Sequence, residues 1–240
     1  MRRRNDPRAR SDQIAASLRA LIMSGDLAPG TQLPSTLQLV EEHHVANTTV
    51  QRALTQLKAE GFVISQVGRG VFVRDKQPFV VRVGAYTAPT PGGFSFKILG
   101  VDEGAPVPAD VANGLGIATG NTAVLRHRLN LHDGEPVALS WSYYPAAIAV
   151  GSPLASRAKI SGGAPRVLED LGYPQRRFVD RVSARPPTTE ELLGLELPDG
   201  VSVIRRLRVI YSDRDVPVEA SVLINGAHLY ELEYHELTGE

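Results

Sequence analysis

Residues 35–73 read STLQLVEEHHVANTTVQRALTQLKAEGFVISQVGRGVFV, and this stretch decides the fold. Val50, Ala53, Leu54 and Leu57 recur at spacings of three and four, which predicts a helix with one buried stripe, opened by Asn47 or Thr48 and closed at Gly61. Pro34-Ser35 opens a shorter helix before it, with Ser35 as N-cap and Leu37, Leu39 and Val40 facing inward, stopping near His44. After Gly61, Phe62 to Gln66 and Val71 to Val73 read as two short strands around the turn Val67-Gly68-Arg69-Gly70. Upstream, Ile14, Leu18, Leu21 and Ile22 mark one more helix, from Gln13 to Ser24, with Ser11 or Asp12 as cap and Gly25 as stop.

Two short helices joined by a three- to four-residue turn, followed at once by a glycine hairpin, have the layout of a winged helix-turn-helix. The second helix exposes Thr48, Thr49, Gln51, Arg52 and Thr55. Gln and Arg reach base edges in a major groove, and Thr reaches phosphates or a thymine methyl. On its own such a face is also what any solvated helix shows, so the hairpin carries the argument. Gly68 and Gly70 free the backbone to turn tightly, and they place Arg69 at a tip that can enter a minor groove or touch a phosphate. A nucleotide-binding loop is excluded, because Gly68-Arg69-Gly70 has neither a third glycine nor a following helix.

Charge agrees with this reading. The 240 residues hold 26 Lys plus Arg and 26 Asp plus Glu, yet residues 1–75 carry 10 basic against 7 acidic side chains and the remainder 16 against 19. A basic front before an acidic rear fits a nucleic-acid module joined to something else. With no cysteine, disulfides and thiolate metal sites are excluded. No apolar run reaches the roughly 18 to 20 residues of a membrane span, and no apolar stretch follows the opening MRRRNDPRAR, so the expectation is a soluble, cytoplasmic protein.

Residues 76–93, rich in Pro and Gly around the apolar Phe79 to Val83, read as a linker with a bridging strand between a DNA-binding domain at 1–75 and a second domain at 94–240. The second domain nearly repeats itself. GNTAVLRHR, residues 120–128, lies over GVSVIRRLR, residues 200–208, at a spacing of 80. Each copy has a short helix before it, Ala109 to Leu115 and Thr188 to Leu193, and a turn and another strand after it. Two copies predict a pseudo-twofold domain whose hairpins share one antiparallel sheet. Alternation puts Arg126 with Arg128, and Arg206 with Arg208, on one face, where four guanidinium groups would meet an anion or simply face solvent. Glu219 would accept from ligand hydroxyls, and Trp141, Tyr143 and Tyr144 would line a pocket or the core.

From Ile22 to Val73, through GDLAPGTQLPS, VANTTVQRALTQLKAEGFV and GRGVFV, the sequence resembles the GntR family of bacterial winged-helix transcription regulators. Thr36-Leu37, Ala46-Asn47 and Gln51 stand where that family often has Glu-Arg, Ser-Arg and arginine, which shifts the expected contacts onto Asn47, Gln51, Arg52, Arg69 and the arginines of residues 2–10. Residues 94–225 resemble the effector-binding UTRA domain of the HutC subfamily, through Arg126 to Arg128, Asp133-Gly134-Glu135-Pro136, Ser142-Tyr143-Tyr144-Pro145, Pro165 to Leu171, Arg208 to Tyr211 and Pro217-Val218-Glu219. The resemblance implies an α+β protein, its second domain of chorismate-lyase-like fold, that takes a small metabolite, often a phosphorylated sugar. The positions matching the family's ligand contacts are Arg128, Tyr143, Arg208 and Glu219. Asn130 stands where a second arginine is frequent and Ser140 where an acid is, which points to a less charged effector.

The expected function is a homodimeric repressor on double-stranded operator DNA, modulated by a small-molecule effector, with no cofactor, metal or membrane partner. The DNA contacts are Ser35, Asn47, Thr48, Thr49, Gln51, Arg52, Gly68, Arg69 and Gly70, and the effector contacts Arg126, Arg128, Ser140, Tyr143, Arg208 and Glu219. An effector-independent dimeric DNA-binding protein and an enzyme of chorismate-lyase-like fold are the alternatives. For the enzyme no nucleophile elbow, paired catalytic acids or His-x-x-x-His motif is present, and His43-His44 sits at a helix end.

Overall fold

A computed structural model describes residues 6–74, 79–83, 93–118, 120–228 and 230–234. The chain divides into two compact units, Met1–Phe79 and Val80–Glu240. Among the described residues no helix is long and apolar enough to cross a membrane.

In the first unit α1 (Arg10–Ser24) and α2 (Thr36–His43) pack on α3 (Asn47–Ala59), and β1 (Val63–Gln66) pairs antiparallel with β2 (Gly70–Val73). Val50, Ala53, Leu54 and Leu57 are buried as their spacing requires. Ser35 caps α2 in a full capping box: its hydroxyl accepts from the Gln38 amide while the Gln38 side chain accepts from Ser35 N.

Four local expectations fail, each for a geometric reason. Helix α1 starts at Arg10, before the expected caps, because Asp12 N and Gln13 N already donate to Ala9 O and Ser11 is packed inside. Helix α3 is preceded by Ala46, not capped by Asn47 or Thr48, since His44 in a left-handed conformation (φ 51°) delivers an extended chain at Ala46. Leu37 is 67% exposed, for residues two apart on a helix lie about 200° around it and Leu39 takes the inward place. Leu21 is likewise exposed beside the half-buried Ile22.

In the second unit the sheet order is β4-β5-β6-β9-β8-β7, all antiparallel, built from β4 (Phe94–Pro106), β5 (Thr122–His132), β6 (Glu135–Pro145), β7 (Arg177–Arg185), β8 (Val203–Tyr211) and β9 (Pro217–Gly226). The two halves, β4-β5-β6 and β7-β8-β9, meet at β6 and β9 in one antiparallel sheet, and such a shared sheet is what the 80-residue repeat predicts. Helices α4 (Ala109–Leu115) and α7 (Thr189–Gly194) start 80 residues apart. Their residues Val111, Leu115 and Leu195 pack with Leu139, Tyr143, Leu207 and Val222 on one side of the sheet. Gly114 and Gly194, again 80 apart, let each helix approach closely: a Cβ at Gly114 would sit 2.6 Å from Val209 Cγ2 and one at Gly194 3.0 Å from Leu139 Cδ1.

On the opposite side, the connector after β6, with α5 (Ala146–Ala149), a 3-10 turn (Pro153–Ala155) and α6 (Gly163–Asp170), buries Val124, Tyr144, Leu154, Leu168, Ile210 and Val218. A two-stranded ribbon joins β3 (Phe79–Val83) to β10 (Tyr230–Tyr234). The apolar stretch expected as a strand inside the linker is thus a strand paired with β10; most of the rest of the expected linker, residues 76–78 and 84–92, lies outside the described residues.

Candidate nucleic-acid interface and ligand face

Asn47, Thr48, Gln51, Arg52 and Thr55 are exposed on α3, and Thr49 is half-buried. Gln51 donates to Thr36 Oγ1 (3.3 Å), tying the reading helix to the start of α2. Arg52 makes no hydrogen bond or ion pair among the described residues, so its guanidinium is available. Because Ala46 offers no side-chain cap, the first amides of α3 also point outward with the positive end of the helix dipole behind them.

The wing is larger than two strands. Leu33 N donates to Val71 O, Val73 N to Thr31 O and Gly30 N to Val73 O, so residues 30–33 run beside β2 as a third edge. Gln32 Nε2 donates to the Arg69 carbonyl at 2.7 Å, where Gly70 (φ 113°) leaves room that a Cβ would fill. Arg69 therefore projects from a braced tip, its guanidinium resting 5.6 Å over the Phe72 ring and in no ion pair among the described residues. Gln32 was not legible as a site residue, because its partner is a backbone carbonyl 37 positions away.

Of the N-terminal arginines, residues 2–4 lie outside the described residues. Arg8 forks onto Asp6, whose carboxyl it holds down to about 2, and Arg10 donates to His43 O (3.0 Å) at the end of α2. Arg19 forks onto Glu60 (2.7 and 2.6 Å), a buried carboxylate that also accepts from Gln56, and this pair pins α1 to the end of α3.

In the second unit strand register puts the polar residues in rows across one face. One row runs Val101, Arg126, Ser142, Ser221, Arg208, Asp180; the next runs Ile98, Arg128, Ser140, Leu223, Arg206, Val182. Arg128 Nη2 donates to Ser142 Oγ (2.9 Å), Ser142 Oγ lies 2.8 Å from Ser221 Oγ, and Ser221 Oγ donates to Glu219 Oε1 (2.5 Å). This chain crosses from the first half of the repeat to the second through fully buried hydroxyls. Asn130 donates to Ser140 Oγ (3.3 Å).

Of the expected effector residues, Arg126, Arg128, Ser140, Arg208 and Glu219 share this face, but Arg126 and Arg208 serve internal partners and Tyr143 points away. Arg126 is buried, its guanidinium donating to the carbonyls of Leu154 (2.9 Å), Ser156, Ala158 and Pro153, so it fastens the connector to the sheet; burial lowers its pKa. Arg208 forks onto Asp180 (2.7 and 2.7 Å) and lies 3.8 Å over the Phe178 ring. Tyr143 does not face the arginines: its parity along β6 is opposite to that of Ser142, which sends it into the apolar core under α4 and α7, where burial raises its pKa. Tyr144 takes the arginine side instead. Trp141 stacks on His127 at 4.4 Å, also away from this face. Ser142 and Ser221 were missed, although counting by twos from Arg128 across the hairpin would have found Ser142.

Residues 10–73 match the family model of bacterial regulatory proteins, gntR family, and residues 94–230 match the UTRA domain. The chain is 27% identical to an uncharacterised HTH-type transcriptional regulator of Streptomyces coelicolor, over 92% of this chain and 90% of that protein. It is 25% identical to an HTH-type transcriptional regulator of Mycobacterium tuberculosis, over 92% and 83%. The crystal structure of a GntR-family transcriptional regulator superposes with a TM-score of 0.61 at 25% identity, covering 97% of this chain and 99% of that one. PhnF from Mycobacterium smegmatis shares the fold, with a TM-score of 0.59 at 21% identity over 94% of this chain and 100% of that one. A winged helix-turn-helix that exposes a reading helix, joined to a UTRA domain whose two halves share one polar sheet face, makes this chain a member of the GntR family of DNA-binding transcriptional regulators, of the HutC-like type.

Proposed function

We propose that the protein is a cytoplasmic, homodimeric repressor whose operator binding is modulated by a small molecule held, without turnover, on the arginine face of the second unit. The observation that carries this reading is the buried chain Arg128–Ser142–Ser221–Glu219, which links both halves of the repeat and ends in a carboxylate oxygen, Glu219 Oε2, with no hydrogen-bond partner among the described residues. A buried carboxylate oxygen is costly to leave unpaired, and a ligand donor satisfies it. Ser35, Asn47, Thr48, Thr49, Gln51 and Arg52 on the helices, and Gly68, Arg69 and Gly70 in the wing, form the DNA contact. A dimer follows from economy, since one winged helix reads few base pairs and two half-sites multiply specificity. Strand β7 supports it, being an edge strand with Phe178, Val179 and Val182 all exposed.

The test selects bound fragments from random double-stranded DNA with the full chain. An inverted repeat is expected, with sedimentation at twice the 25.9 kDa chain mass. Arg52→Ala and Arg69→Ala should each weaken binding by about 1 to 3 kcal/mol at a base contact, or lower the salt slope by about one at a phosphate. Selection of no common sequence, or unchanged binding and salt dependence in both variants, defeats the reading.

A further inference from the structure

The 80-residue repeat maps Arg126 onto Arg206 and Arg128 onto Arg208, so the arginine face carries two pseudo-symmetric pairs. Their partners are not symmetric. Arg126 is satisfied by carbonyls of the connector after β6, whereas after β9 the chain passes from Gly226 to Tyr230 and begins β10, with no connector to serve Arg206. Arg208 is satisfied by Asp180 of β7, whereas the residue beside Arg128 on the matching edge strand is Ile98. Each half of the duplication thus satisfies one arginine and leaves the other with buried nitrogens that have no hydrogen-bond partner among the described residues.

The two omissions fall in one place. Arg128 and Arg206 occupy the same cross-strand row, with Ser140 and Leu223 between them. Arg206 is 5% exposed, and among the described residues neither its Nε nor its Nη1 has a hydrogen-bond partner; Arg128 Nε is likewise buried and without one. No carboxylate shares that row, so neither guanidinium has an acid beside it there. Three strand spacings separate the two Cα atoms by about 14 Å. Arg128 already leans inward, toward Ser142 on the next strand. An uncompensated buried guanidinium is a large cost unless a counter-charge arrives, and guanidinium forks favour flat or tetrahedral oxyanions.

We infer that this face binds a small dianion bridging Arg128 and Arg206 over Ser140, its two charges either on one phosphate or split between two carboxylates, in place of the less charged ligand that Asn130 and Ser140 suggest from sequence. This deepens the proposed function, on which it rests for the location of the site, and it assigns to Arg206 the anion-binding part that Arg208 cannot play while it holds Asp180.

The experiment follows thermal unfolding of the full chain at constant ionic strength, with inorganic phosphate, succinate or glutarate, and succinamide as the neutral analogue. Tryptophan fluorescence reads the second unit, because Trp141 is the single tryptophan. At least one dianion should raise the midpoint saturably, by about 2 to 4 °C, and succinamide should not; phosphate alone points to one anionic group, a dicarboxylate alone to two. Without ligand, Arg206→Met should melt at or above the parent temperature, since it deletes an unpaired charge, while Arg208→Met should melt lower. With ligand, Arg206→Met should lose the response, and Arg206→Lys should weaken it at least tenfold in concentration. The inference is overturned if no dianion shifts the midpoint, if Arg206→Met responds like the parent, or if it melts as low as Arg208→Met. The location itself fails separately: a dianion that binds through Arg206 without altering operator affinity leaves the inference standing and removes the regulatory reading, whereas a neutral molecule that releases operator in a Glu219-dependent way does the reverse.

Discussion

Replacing Asp180 by alanine isolates what the arginine face costs when one internal partner is missing. Asp180 accepts both bonds of the Arg208 fork at 2.7 Å, and the side chains are only 6% and 2% exposed. Removing the carboxylate leaves Arg208 charged, buried and unable to reach water, since Phe178 lies 3.8 Å beneath it. A buried pair broken on one side typically costs about 3 to 5 kcal/mol, most of it the desolvation of the group left behind. At about 2 to 4 °C per kcal/mol for a unit of this size, the midpoint should fall by about 6 to 20 °C. The single Trp141 reports that transition without interference from the first unit, and circular dichroism of the helices follows the remainder. The double variant Asp180→Leu with Arg208→Met removes both charges and should recover most of the loss, so the coupling between the sites is large and of opposite sign to the single cost. If Asp180→Ala melts within about 1 °C of the parent, Arg208 is not held by this pair, and the distinction between satisfied and orphaned arginines collapses.

Gln32→Ala should weaken operator binding by about 0.5 to 1.5 kcal/mol by freeing the wing tip, and should have no further effect in an Arg69→Ala background; equal losses in both backgrounds would show that Gln32 contacts DNA by itself. Gly114→Ala should destabilise the second unit, read by Trp141 fluorescence, because the methyl meets Val209 at 2.6 Å; the same change at Gly116, which has open space but a φ of 65°, should cost only the left-handed strain of about 1 kcal/mol. Burial lowers the pKa of His127 in the fold, against the pull of Glu190 at 4.0 Å, so the unfolded chain takes up a proton first as pH falls. Stability of the second unit should therefore decline from about pH 6.5 downward to the folded pKa, and a urea titration of His127→Phe should lack that part of the slope.

Most of the first unit was legible because its signals are local. Val50, Ala53, Leu54 and Leu57 needed only helical spacing, and Gly68-Arg69-Gly70 needed only turn chemistry. What failed there was also local but finer. Asn47 and Thr48 are good caps in general, yet the chain had already turned at His44, and the capping position fell to Ala46. Gln32 was hidden for the opposite reason, since bracing the wing is a contact between segments that only the folded backbone brings together.

The second unit divides along a different line. Repetition at a spacing of 80 gives one antiparallel sheet shared by two similar halves, and alternation gives the face of each arginine, while the strand order comes from the fold. Neither says which arginine is free. Arg126 and Arg206 look alike in sequence, as do Arg128 and Arg208, and their difference resides in what lies beside them: a connector after β6 that has no counterpart after β9, and an aspartate on β7 where β4 has Ile98. Tyr143 and Tyr144 were separable in principle by parity alone, for if Arg128 pairs with Ser140, then Ser142 and Tyr144 share its side and Tyr143 does not. A duplicated sheet therefore announces its polar face through symmetry, while its binding chemistry sits where that symmetry is broken, at the members of each pair whose internal partner the second copy does not supply.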